Sequence, residues 1–76
     1  MDKYFTVSVG SEIPTPEGYL KVKAIHFHKN LFVEEYVLDE EGNEKFVNDY
    51  LISKFDCERH LKEVDGKNHI IFIKEE

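Results

Sequence analysis

Two histidines separated by one residue form the pattern in this chain that is closest to a metal-binding motif. His26 and His28 end a segment with strand-like alternation, so we expect both imidazoles on one side, where they could bind one metal ion. Cys57 and His60 could add ligands if their segment is helical, and His69 is a further candidate. Because the chain has a single Cys, such a site must be assembled across the fold. A metal-binding module through His26 and His28 is therefore one alternative function.

Cys57 also raises the question of thiol catalysis, since a histidine follows it closely. A catalytic thiolate needs a positioned base, an oxyanion donor and a cleft, which a chain of 76 residues rarely provides. We interpret Cys57 as a semi-buried filler of the core. The sequence therefore predicts no catalytic residue, no enzymatic activity and no cofactor.

A dense group of carboxylates is the second feature with chemical potential. Acids at a loop tip are solvated and suit general acid–base chemistry poorly. They keep a sheet edge soluble, and they can also dock a basic protein or imitate DNA. We predict that they form a partner-binding surface for another protein. The group comprises Glu34, Glu35, Asp39, Glu40, Glu41 and Glu44.

Lysines beside an aromatic residue offer a second alternative, a nucleic-acid-binding barrel. Lys21, Lys23 and Lys29 lie on or next to the same strand as Phe27, and a basic strip with an aromatic ring can stack single-stranded nucleic acid. The chain as a whole opposes this function, because 10 Lys and Arg against 16 Asp and Glu give a net charge of −6. Nucleic acid is therefore the less favoured partner.

Length and composition indicate the number of domains and the cellular compartment. Residues 1–76 are enough for one domain, and 41% hydrophobic residues are enough for one core. The N-terminus lacks an apolar run of secretory length and no stretch reaches the roughly 20 apolar residues that span a bilayer, so no membrane role is expected. A lone Cys cannot form an internal disulfide and favours the cytoplasm.

A hairpin from Leu31 to Leu51 is the element expected to position the acidic group. A polar loop separates two runs rich in aromatic and β-branched residues, and Gly42 stands where the turn needs a left-handed residue. The register that follows pairs Tyr36 with Phe46 and Phe32 with Tyr50 on one face. We expect this aromatic face to be the core side.

The flanking segments predict further short strands. An alternating stretch over residues 4–9 reads as a first strand, and residues 11–18, with both prolines, as a loop that covers Ile13. The strand after it changes its apolar phase, which predicts a bulge or bend near Ala24. One or two turns of helix opened by Asn48 or Asp49 follow, and a longer helix through Leu61 and Val64 is the alternative. We favour a short helical turn, followed by a second hairpin.

That second hairpin is predicted from the dipeptide Asp65-Gly66, a frequent two-residue turn. It would join residues 59–64 to residues 67–74 and place Leu61 opposite Ile70. The result is a mainly β fold, a small SH3-like barrel or a curled antiparallel sheet of about five strands with a short helical turn.

A resemblance supports this architecture. The succession GYLKVKAIHF, a turn and EEYVLDEEGNEKFVNDYLI is similar to the SH3-like small barrels of many short bacterial and phage proteins. The resemblance spans roughly residues 18–55 and implies a binding module. SH3 domains that grip proline-rich ligands use a Trp, and since this chain has none, the resemblance carries no binding residue over.

Overall fold

Six β-strands and one α-helix make up residues 3–74, the part of the chain that the computed structural model describes. The mainly β fold class expected from the sequence is confirmed. The elements in order are β1 (Lys3–Val7), β2 (Glu12–Thr15), β3 (Gly18–His26), β4 (Asn30–Leu38), β5 (Glu44–Ser53), α1 (Lys54–Asp65) and β6 (His69–Ile73).

An antiparallel sheet in the order β2-β3-β4-β5 is the larger of the two sheets. The register of β3 and β4 shifts between Val22 and Ala24, which confirms the bulge predicted from the change of apolar phase. The proline-containing segment is not entirely a loop, because β2 within it pairs with β3. Ile13 is fully buried there, as expected.

The hairpin of β4 and β5 has the predicted turn but only part of the predicted register. Tyr36 pairs with Phe46, as expected. Phe32 pairs with Leu51 and not with Tyr50, because the register shifts between Glu35 and Tyr36 and adds one residue to β5. Gly42 has φ +83°, the left-handed conformation that the turn requires.

The core lies on the opposite face of this sheet from the one predicted. Its members are aliphatic, and the row that contains Tyr36 and Phe46 faces outward, with Phe46 50% exposed. The aliphatic and aromatic sets alternate along β4, so burying one set exposes the other. The buried residues are Val7, Ile13, Leu20, Val22, Leu31, Val33, Ile52, Cys57, Leu61 and Ile71.

The helix α1 extends through Asp65, so the structure has the longer helix and not the favoured short turn, and this helix begins later than expected. Ser53 is its N-cap, in place of Asn48 or Asp49: its hydroxyl accepts from the Asp56 N–H at 3.1 Å and also donates to the Asp56 carboxylate. Gly66, at φ +75°, ends the helix and donates its N–H to the Lys62 carbonyl at 2.7 Å.

The predicted second hairpin is therefore absent from residues 3–74, because Asp65 ends a helix and not a strand. The strand β6 instead pairs in parallel with β1, in a register from Lys3 opposite His69 to Val7 opposite Ile73. Leu61 lies in the buried face of α1, so its predicted pairing with Ile70 is wrong. The Ile71 N–H donates to the Glu58 carboxylate at 2.7 Å and joins β6 to the helix.

The described strands do not close into a barrel, since β1 and β6 form a sheet separate from the other four strands. The alternative of a curled antiparallel sheet describes β2 to β5. Among residues 3–74, no helix has the length and apolar character needed to cross a bilayer.

Candidate functional site

The open face of the four-stranded sheet carries an aromatic row that runs across three strands. Tyr19, Tyr36 and Phe46 occupy paired positions on β3, β4 and β5. The Tyr19 and Tyr36 rings stack with centroids 5.1 Å apart, and Tyr36 meets Phe46 edge-on at 5.8 Å. These contacts fix the rings beside one another without burying them in the core. We call this set the aromatic row.

A charged row lies next to the aromatic row, two residues away on β3 and β4 and three residues away on β5, where the register shifts. The cross-strand pairs place Lys21 between Glu12 and Glu34, and Glu34 beside Asp49. Three acids therefore surround one base on this row. Beyond it, Phe32 and Leu51 pair on the same face, and Leu51 is 60% exposed. The open face thus combines apolar surface with a local excess of negative charge.

Two carboxylates hold tyrosine hydroxyls of the aromatic row. The Tyr36 hydroxyl donates to Glu34 Oε1 at 3.1 Å, and this bond raises the pKa of Tyr36. Desolvation and a hydrogen bond with Glu44 raise the pKa of Tyr19 to about 12. Glu34 and Glu44 therefore lie beside the hydroxyls of the aromatic row.

The predicted partner-binding acids do not share one surface. Glu34 and Glu44 lie on the open face beside the aromatic row. Glu35 points to the opposite face, where it accepts from the Tyr50 hydroxyl at 3.2 Å. Desolvation and Glu35 raise the pKa of Tyr50 to about 12.

The remaining acids of that group, Asp39, Glu40 and Glu41, form the exposed tip of the β4–β5 hairpin. Asp39 Oδ1 accepts from the N–H groups of Asn43 at 2.8 Å and of Glu41 at 2.9 Å. The bonds to these backbone amides lower the pKa of Asp39. Its carboxylate therefore builds the turn, whereas Glu40 and Glu41 extend the acidic surface beyond the aromatic row.

The three candidate lysines are separated in the fold. Lys21 lies in the charged row between two glutamates, and Lys23 lies at the β3 bulge. Lys29 belongs to the turn between β3 and β4, together with Phe27. The predicted basic strip is therefore not continuous, and one lysine stays beside the aromatic ring.

His26 and His28 do not share one side of a strand, contrary to the sequence prediction. The strand β3 ends at His26, and His28 lies in the following turn with φ +57°. Residues 3–74 contain no group of three or more His, Cys, Asp or Glu side chains placed to hold a metal ion. The pair is therefore not extended by Cys57, His60 or His69 into a larger ligand set.

Cys57 is fully buried in the core, between α1 and the sheets. Burial and the neighbouring charges of Asp56 and Glu58 raise the pKa of its thiol to about 12. A nucleophilic cysteine needs the opposite shift. The structure thus gives Cys57 the packing role that the sequence suggested.

The sequence pattern predicts the strands of the aromatic row but not its exposure. It does not distinguish Tyr19 from other strand residues, and it predicts a core position for Phe46, which is 50% exposed. The available signal was the regular placement of Glu34 and Glu44 two residues from an aromatic position.

Comparisons of the chain with protein-family models, with curated proteins and with solved structures found no match.

Proposed function

We propose that this protein is a non-enzymatic interaction module that binds a basic segment of another protein on its open sheet face. The observation that carries the proposal is the aromatic row with Glu34 hydrogen-bonded to Tyr36 and Glu44 beside Tyr19. A lysine or arginine side chain lying over these rings would gain a cation–π contact and a charged hydrogen bond together.

Charge complementarity selects the occupant. The charged row adds Glu12 and Asp49 to this face. An acidic ligand would be repelled, and an uncharged apolar ligand would cover the acids without forming a charged contact with them. A basic segment with apolar side chains satisfies both the rings and the acids. The resemblance to SH3-like modules and a cytoplasmic location are consistent with such a role and add no ligand specificity.

The test uses a fluorescent peptide that alternates lysine and phenylalanine, with a peptide of glutamate and phenylalanine as its control. We expect the lysine peptide to bind and Glu34→Gln with Glu44→Gln to weaken binding about tenfold at low salt. The matched control is Glu40→Gln with Glu41→Gln, which changes the net charge equally at the hairpin tip. Equal losses in the two double variants would show a general charge effect and would refute a site on the open face.

A further inference from the structure

The turn between β3 and β4 has a backbone that its residues do not favour. Phe27 and His28, at φ +54° and +57°, are the two non-glycine residues with positive φ in the described chain. The Lys29 N–H donates to the His26 carbonyl at 3.2 Å, so the pair occupies the two central positions of a β-turn within the three-residue loop between His26 and Asn30. Such turns favour Asn and Gly at these positions, and a bulky side chain there is strained.

The strain is not offset by packing of the Phe27 ring. Phe27 is 84% exposed, more than any other large hydrophobic residue of residues 3–74. An asparagine at this position would relieve the backbone and remove an apolar ring from water. Phe27 therefore makes this turn less stable than an asparagine would. Strained residues of this kind cluster at functional sites.

A second exposed ring lies at the same end of the molecule. Asn30 pairs with Ser53, and the Lys54 N–H donates to the Lys29 carbonyl at 3.0 Å, which places the start of α1 beside the turn. Phe55 there is 69% exposed, with Lys54 Nζ 5.4 Å from the centre of its ring. We call Phe27, Lys29, Lys54 and Phe55 the basic end.

The acid that follows Phe55 in the sequence does not cancel this charge. Asp56 accepts from the Ser53 hydroxyl at 3.1 Å, and its other oxygen lies 3.4 Å from the Arg59 guanidinium. The acidic hairpin tip lies at the far end of β4, a strand of nine residues that spans about 30 Å. Because the Debye length is about 8 Å at physiological salt, the hairpin tip is screened from the basic end. The net charge of −6 therefore does not describe the field at this end.

We propose that the basic end binds single-stranded nucleic acid, with a base stacked on Phe27 and backbone phosphates paired with Lys29 and Lys54. Phe55 offers a stacking surface to a neighbouring base. Exposed ring faces between cations are the arrangement that binds single strands without reading their sequence. This site is distinct from the open sheet face and goes beyond the function proposed above.

The experiment measures fluorescence anisotropy of a labelled oligothymidylate in about 50 mM salt. We expect Phe27→Asn to weaken binding about tenfold while raising the melting temperature by about 4 °C or more, because the turn loses its strain and the base loses its ring. Phe72→Ala, which removes a 54%-exposed ring on β6, is the matched control and should leave the affinity unchanged.

A second pair of variants tests the charge. Lys29→Gln should weaken binding several-fold, and Lys45→Gln, an equal change on β5, should not. For the wild type, raising the salt from about 50 to about 200 mM should weaken binding about sevenfold, the slope for two neutralised phosphates on a single strand.

Four results would overturn the proposal. They are the absence of oligothymidylate binding by the wild type, equal losses in Phe27→Asn and Phe72→Ala, a lower melting temperature for Phe27→Asn, and preference for a glutamate–phenylalanine peptide over the oligonucleotide. The last result would assign the basic end to an acidic protein segment.

Discussion

Tyr36 and Phe46 are paired directly across β4 and β5, with ring centroids 5.8 Å apart and ring planes at 70°, on the face of the sheet turned away from the core. An exposed aromatic pair of this kind contributes about 1 kcal/mol beyond its buried area. Phe46→Ala should therefore cost about 1–2 kcal/mol in the free energy of unfolding and leave the protein folded.

The comparison is Leu31→Ala, which empties a fully buried position on β4 and should cost about 2–5 kcal/mol. Urea denaturation of both variants gives the two values. A larger loss for Phe46→Ala than for Leu31→Ala would mean that the aromatic face is the core.

Gly18 and Gly42 should respond to alanine for different reasons. A Cβ at Gly18 would overlap the Tyr36 carbonyl oxygen of the neighbouring strand, whereas a Cβ at Gly42 would meet open space. Gly42→Ala should cost about 1 kcal/mol through its positive φ alone. Gly18→Ala should cost about 3 kcal/mol or more, because backbone atoms must move. Thermal melts rank the two variants, and a reversed order would contradict the β3–β4 register.

Asp39→Asn should change the pH dependence of stability. The native pKa of Asp39 is lowered by backbone amides of the turn, so its ionised form stabilises the fold above the unfolded pKa of about 3.9. This contribution is lost as the pH falls through the native pKa. Asp39→Asn should thus melt below the wild type at neutral pH and approach it at about pH 2.5. Glu40→Gln, a neighbour at the same exposed tip, is the control and should show no such convergence.

Cys57 should react slowly with thiol reagents in the native protein. Its side chain is fully buried, so a reagent cannot reach the sulfur. Its thiol pKa is raised to about 12, so almost none of the reactive thiolate is present at pH 8. We expect labelling by a chromogenic disulfide reagent to require unfolding and to accelerate steeply near the urea midpoint. Rapid stoichiometric labelling of the folded chain would reopen the question of a reactive cysteine.

Most strands and the β4–β5 turn were predictable from the sequence, whereas β2 and the choice of which hairpin face is buried were not. Along β4, Val33 alternates with Phe32, so both faces carry apolar side chains and periodicity alone does not choose between them. The choice depends on aliphatic residues brought from β2, α1 and β6. The choice of buried face also depends on the extra residue in β5, which no local sequence pattern predicts.

The helix α1 was not predictable for a different reason. Asp65-Gly66 suits both a hairpin turn and a helix C-terminus, since each needs a left-handed glycine. The deciding signal lies twelve residues earlier, where Ser53 and Asp56 have the spacing of an N-terminal cap. The basic end could not be predicted either, because its two halves, around Phe27 and Phe55, meet only through pairing of Asn30 with Ser53.

The parallel pairing of β1 with β6 constrains the order of folding. Lys3 meets His69 across this ladder, so the contact closes a loop that contains the other four strands and the helix. Contacts of such high sequence separation form late and slow the folding of small domains. During synthesis, β2 to β5 can assemble by local hairpins as they leave the ribosome, while β1 must wait for β6. The ladder that holds Val7, fully buried in the finished fold, is therefore completed only when the sixth strand arrives.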